Sequence, residues 1–151
     1  MSLRFNHTKA NGAAFRAMMA LEEYAGSHVT DKVLYELIKL RASQINGCAY
    51  CLEMHAKDML KLGDHSDRIL LLSVWREVPH LYTDKERAVI ELTEAVTQIS
   101  HQGVPDVLYH KVREFVSESE YMDLIMAVNT INSWNRIAIS TGMFPGCFDA
   151  K

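Results

Sequence analysis

Cys48, Cys51 and His55 lie within Gly47-Cys48-Ala49-Tyr50-Cys51-Leu52-Glu53-Met54-His55, separated by three and then four positions. Residues at those spacings share one face of a helix, so a helix through this segment projects both thiols and the imidazole from one stripe. Two thiols one turn apart can close a disulfide where the geometry permits, and His55 stands one turn beyond Cys51, within reach of its proton. If the helix begins near Cys48, its unpaired N–H groups and positive dipole end favour thiolate over thiol. In such settings thiol pKa values fall from about 8.5 toward roughly 3.5. Gly47 permits a tight turn ahead of the helix, which would present Cys48 near the surface.

The same residues admit other readings. A pair of helical cysteines can be buried core, and Cys48, Cys51 and His55 can be three zinc ligands, with Glu36 or Cys147 as the fourth. Structural zinc sites usually draw a second ligand pair from elsewhere, and the chain has neither a second Cys-x-x-Cys nor a His-x-x-x-His. The redox reading, which needs no metal and no cofactor, is therefore favoured. Glu36 is the remaining candidate. It lies twelve positions before Cys48 in an otherwise apolar run, Leu34-Tyr35-Glu36-Leu37-Ile38. A helical hairpin would return it to the motif; without one it is a solvated helix-face carboxylate.

The elements that must position these groups are helices. The chain has 151 residues, 48% hydrophobic and 23% charged, with only three prolines, which suits one all-α domain over residues 1–151. Helical periodicity predicts about seven helices packed as a compact bundle. The first runs from about Asn11 to Tyr24, and the second follows Thr30 as N-cap and ends at the Asn46-Gly47 turn. The third runs from Cys48 to Gly63 and the fourth from Ser66 to Glu77, before Pro79. Thr83 and Glu86 open a fifth through Ile99 with a capping box. Pro105 sits in the first turn of a sixth, through Val116. Ser117 and Glu120 form a second capping box for the last helix, which Gly142 closes after Thr141. No segment alternates with period two, so no sheet is expected.

A net charge of −3 without a basic block argues against a nucleic-acid partner. No run approaches the roughly 18 apolar residues of a membrane span, and the N-terminal Met-Ser-Leu-Arg-Phe lacks a signal core. Three cysteines do not resemble a secreted disulfide framework. A cytoplasmic protein is expected.

The stretch from Glu36 through Ser43-Gln-Ile-Asn-Gly-Cys48-Ala-Tyr-Cys51 to His55 resembles the active-site region of the carboxymuconolactone decarboxylase and alkylhydroperoxidase D (AhpD) superfamily, and is most similar to its short, single-motif AhpD-like members. Leu72-Ser-Val-Trp75-Arg76-Glu77 and Ile131-Asn132-Ser-Trp134-Asn135-Arg136 extend the likeness over most of the chain. The resemblance implies an all-helical fold assembled as a homo-oligomer, a trimer or hexamer. It also implies a thiol-dependent peroxidase in antioxidant defence. A relay from Glu36 through His55 would deprotonate Cys51, and Cys51 would attack a hydroperoxide and become a sulfenic acid. Cys48 would resolve it to a disulfide, and a dithiol or lipoyl-type protein would reduce that. AhpD has a histidine immediately before its second cysteine, where this chain has Tyr50. The decarboxylase branch lacks the cysteine pair; an enzyme of that type would use Glu36 and His55 as acid and base. A non-catalytic, metal-bearing scaffold is a further alternative.

Trp75 and Arg76 are candidates for lining the cleft, against the simpler reading of core packing and a surface ion pair. Asn132, Trp134, Asn135 and Arg136 lie within an otherwise apolar helix and predict a buried polar network or a subunit contact. Cys147 reads as a bystander.

Overall fold

The computed structural model describes residues 2–149 and, among them, contains helices and no strand. Nine α-helices run in chain order: α1 (His7–Ala10), α2 (Gly12–His28), α3 (Lys32–Asn46), α4 (Ala49–Lys61), α5 (Ser66–Leu71), α6 (Asp84–Thr97), α7 (Ile99–Gln102), α8 (Asp106–Arg113) and α9 (Glu118–Thr141). Two 3-10 segments, Leu72–Glu77 and Pro79–Leu81, link α5 to α6.

The all-helical fold is as expected, but the helix count and several boundaries are corrected. The single helix expected over Ser66–Glu77 is α-helical only to Leu71; it goes on as a 3-10 segment that breaks at Val74, which leaves helical geometry (φ −119°, ψ 27°). The fifth expected helix stops at Thr97 and restarts as α7, and the sixth stops at Arg113 with Pro105 as its N-cap. The first runs on to His28. Asp31, not Thr30, caps α3, its carboxylate accepting from the Leu34 N–H at 3.0 Å. Both capping boxes, Thr83/Glu86 and Ser117/Glu120, form on both arms.

Helix α3 is the axis of the bundle. It packs on α4, α6 and α9, and every residue from Leu34 to Leu40 is buried. A helix enclosed on all sides has no solvent face on which to leave its polar residues. Leu34, Ile38 and Ala42 join one apolar cluster with residues of α2, α4, α6, α8 and α9, while Leu37 and Leu40 join a second with Met59, Leu72, Trp75, Tyr82 and Ile90.

Polar ties fix the ends of α3. Asn46 Nδ2 donates to Asn132 Oδ1 and Asn135 Oδ1, each at 2.9 Å, and Asn135 Nδ2 donates to Ser43 Oγ at 2.9 Å. Asn132 Nδ2 reaches Thr97 Oγ1 at 3.0 Å. The buried network expected of the last helix is thus a clamp between α9 and the C-terminus of α3. Gly47 follows in the left-handed region (φ 70°), and the Cys48 N–H returns to Ser43 O at 3.0 Å, a closure that suits glycine.

Glu94 of α6 gathers a second set of donors: Trp75 Nε1 at 2.9 Å, Arg41 Nε at 2.7 Å and Arg76 Nη2 at 2.7 Å. Trp75 and Arg76 therefore do not line the cavity that contains Cys51; they are, respectively, a core residue and an ion-pair partner, drawn away by this carboxylate. Burial opposes ionisation of Glu94, but the bonds from Arg76, Trp75 and Arg41 outweigh it and hold the carboxyl below its ordinary value of 4.5. A carboxyl lowered on folding stabilises the fold above the unfolded value, and that contribution is lost as pH falls through the folded one. Glu94→Gln should unfold at lower urea concentration than wild type at about pH 7, with the gap shrinking as the pH falls below the ordinary carboxylate value of 4.5. A gap independent of pH would show that the charge of Glu94 contributes nothing.

Candidate active site

Helix α4 begins where the motif requires. Cys48 is its N-cap, the sulfur accepting from the Cys51 N–H at 3.3 Å. Cys51 lies in the first turn, next to the unpaired N–H groups of the helix end. The two Cα atoms are 5.4 Å apart and the sulfurs are joined as a disulfide. Cys48 is not presented at the surface. Gly47 turns α4 back onto the bundle, so Cys48 and Cys51 are each only 2% exposed and belong to the apolar cluster beneath. Of the two, Cys51 lines a cavity of about 620 Å³.

His55 lines the same cavity, one turn along α4. It is 4% exposed, and its Nδ1 lies 2.9 Å from Glu36 Oε2. In the tautomer in which Nδ1 carries the hydrogen, it donates to this carboxylate oxygen. The lone pair is then left on Nε2, ready to take a proton. The α3–α4 hairpin thus brings Glu36 back to the motif, behind the imidazole and away from solvent. No direct hydrogen bond joins His55 to Cys51 among the described residues, whose sulfur is engaged with Cys48. Glu36, His55 and Asp58 also bring one possible ligand atom each within 4.8 Å of one another. Among the described residues, that group could hold a metal ion.

The cavity contains groups that the sequence pattern did not single out. Lys39, one turn beyond Glu36 on α3, is 4% exposed. Its ammonium pairs with Glu22 Oε1 from α2 and sits 3.9 Å from the centre of the Tyr35 ring. Glu22 also accepts from Tyr35 Oη and, through Oε2, from Trp134 Nε1, each at 3.0 Å. Burial opposes its ionisation, yet the Lys39 charge and the donors around it hold Glu22 below the ordinary carboxylate value. Trp134 is therefore part of the cavity wall, while Asn132 and Asn135 are structural. The only advance signal for Lys39 was a charge inside an apolar run.

The roof comes from distant parts of the sequence. The His7 ring lies 6.1 Å from Trp134 and 6.2 Å from Phe148, and Tyr50 meets Phe148 edge-on at 6.1 Å. Among the described residues His7 Nδ1 is buried without a hydrogen-bond partner, and burial lowers its pKa, disfavouring the charged ring. Cys147 is a free thiol beside this roof, packed against the main apolar cluster.

Comparison with known proteins gives the family and the fold. The model of the carboxymuconolactone decarboxylase family matches residues 12–95, and the chain belongs to that family, within the superfamily that also contains AhpD. It is 42% identical over 142 residues to the uncharacterized protein YdfG of Bacillus subtilis, covering 94% of this chain and 96% of that one. A crystal structure of ATU0492 from Agrobacterium tumefaciens, a protein of unknown function for which an antioxidant defence role of the AhpD kind has been suggested, superposes with a TM-score of 0.90. It is 43% identical, over 93% of this chain and 96% of that one. An uncharacterized peroxidase-related protein from Silicibacter sp. TM1040 shares the fold at a TM-score of 0.78 and 22% identity, over 89% of this chain and 71% of that one.

The Glu36–His55 pair is enclosed, so removing one partner strands the other. Glu36→Ala and His55→Ala should each destabilise the protein, with a coupling of about 0.5–3 kcal/mol between them in a double-mutant cycle. Denaturant unfolding of the four proteins measures it, and additive losses would mean the two side chains do not interact.

Proposed function

We propose that the protein is a thiol-dependent peroxidase that reduces hydroperoxides through Cys51 and Cys48. The observation that carries the reading is the disulfide between Cys48 and Cys51 at the N-terminus of α4, opening through Cys51 into a cavity shared with the His55 imidazole that Glu36 orients. In the reduced state His55 Nε2 accepts the Cys51 proton, and Glu36 stabilises the imidazolium formed. The thiolate attacks the peroxide, an S–O bond replaces the O–O bond, and an alcohol leaves. Cys48, buried behind Cys51, then displaces water from the sulfenic acid and closes the disulfide. Burial of Cys48 suits a resolving role, since the peroxide reaches Cys51 first. Tyr50 stands where AhpD has histidine; burial and the neighbouring charges of Cys147, Glu53 and Asp149 raise its pKa, so it supplies a neutral phenol and no second base.

A dithiol, small or lipoyl-type and protein-borne, would restore the thiols by exchange, in a cytoplasmic setting of antioxidant defence. Among the described residues no helix is long and apolar enough to cross a membrane. The family resemblance supports assembly with further copies of the chain, as a trimer or hexamer. A second reading, acid–base chemistry on a small organic acid or lactone, draws on the family match and on Glu36 and His55 alone.

Titration of thiols decides between them. The reduced chain has three; one equivalent of an alkyl hydroperoxide should leave one, and dithiothreitol should restore all three. Cys51→Ser should consume hydroperoxide at the uncatalysed rate. Cys48→Ser should consume one equivalent and accumulate a sulfenic acid that dimedone traps. Equal turnover by wild type and Cys51→Ser would remove the thiol from the mechanism.

A further inference from the structure

The two helices of the site run antiparallel about the Gly47 turn, and the Glu36–His55 bond fixes their register. Lys39 lies three residues nearer the turn than Glu36, and Cys51 four residues nearer it than His55. At 1.5 Å per residue those displacements are about 4.5 Å and about 6 Å in the same direction. Lys39 therefore stands level with Cys51 across the hairpin, and both line the same cavity.

Its environment is unusual for a lysine. Fully buried ammonium groups are rare and need partners. Lys39 has three N–H donors and, among the described residues, one acceptor, Glu22 Oε1, with the Tyr35 ring face beside it. Glu22 does not depend on Lys39 alone, since Tyr35 and Trp134 also donate to it. The carboxylate anchors the ammonium while leaving donor capacity for something else in the cavity. A chemically inert wall would be served better by an apolar residue of the same size.

We propose, building on the peroxidase reading above, that Lys39 is a catalytic residue whose N–H binds the departing oxygen of the hydroperoxide. As the Cys51 thiolate forms its S–O bond, the electron pair of the breaking O–O bond moves onto that oxygen. The sulfur is oxidised by two electrons to the sulfenic acid, and the peroxide is reduced to the alcohol. The proton that His55 took from the thiol ends on the departing oxygen. Lys39 transfers no proton: its hydrogen bond stabilises the alkoxide charge as it builds, and a donor aimed at developing charge in a dry site accounts for large rate factors. Glu22 is the positioning residue that holds Lys39 there.

The test exploits leaving-group chemistry. tert-Butyl hydroperoxide expels a strongly basic alkoxide that needs stabilising; peracetic acid expels acetate, which does not. Single-turnover oxidation of reduced Cys51 should be slowed about 100-fold by Lys39→Met with tert-butyl hydroperoxide. The loss with peracetic acid should be smaller by at least about tenfold. The double variant Glu22→Gln, Lys39→Met leaves no unpaired charge in the cavity and should show the same selective loss, and its peracetic acid rate confirms an intact thiol site. Equal losses with both oxidants, or no loss, would overturn the assignment, since Lys39 would then act on the thiolate, on the fold or not at all. A wild-type chain inert toward both oxidants would instead remove the peroxidase reading, and this inference with it.

Discussion

Enclosing the middle of α3 forces its two buried charged residues, Glu36 and Lys39, to find partners inside the protein. A buried charge without a partner is costly enough to unsettle a domain of this size. Each requirement recruits another helix: Glu36 takes the imidazole of α4, and Lys39 takes the carboxylate of α2, which in turn takes the indole of α9. The polar wall of the cavity is thus a consequence of how the core is satisfied. It rests on the same side chains that determine which helices can sit next to α3.

The cysteine pair depends on a second constraint, the geometry of one turn. Asn46 is held by two asparagines of α9, Gly47 takes the left-handed conformation, and Cys48 caps the next helix. Because α9 is the longest helix and crosses both α2 and α3, the clamp couples the cysteines to the rigid part of the bundle. Both cysteines belong to the core cluster and Cys51 adjoins a cavity, which combines a low-dielectric setting with access from one side.

Much of this was legible in the residues. The three-and-four spacing of Cys48, Cys51 and His55 placed them on one stripe, and two capping boxes marked the starts of α6 and α9. Glu36 was readable as a candidate because it interrupts an apolar run, although its partner depended on a hairpin that only tertiary packing settles. Lys39 and Glu22 were not readable. Local periodicity assumes a solvent face, and α3 has none from Leu34 to Leu40, so a lysine that pattern assigns to water lies in the core. The break at Val74 was missed for a related reason: Leu72 and Trp75 turn into the second apolar cluster, and their burial overrides continuation of the helix. His7 and Phe148 lie so far from the motif along the chain that no spacing rule relates them to it.

That separation bears on how selectivity can vary in such proteins. The reactive floor is carried by residues 36–55, inside the stretch that defines the family, 12–95, whereas His7, Trp134 and Phe148 lie outside it. The two covering segments are tied to each other: the Arg4 N–H donates to Thr141 O at 2.8 Å, and a Cβ on Gly142 would come within 2.4 Å of Ser2 O. Substitutions there can reshape the chamber while leaving residues 36–55 untouched. Chains that share the stretch 36–55 are thereby free to differ in the chamber above it.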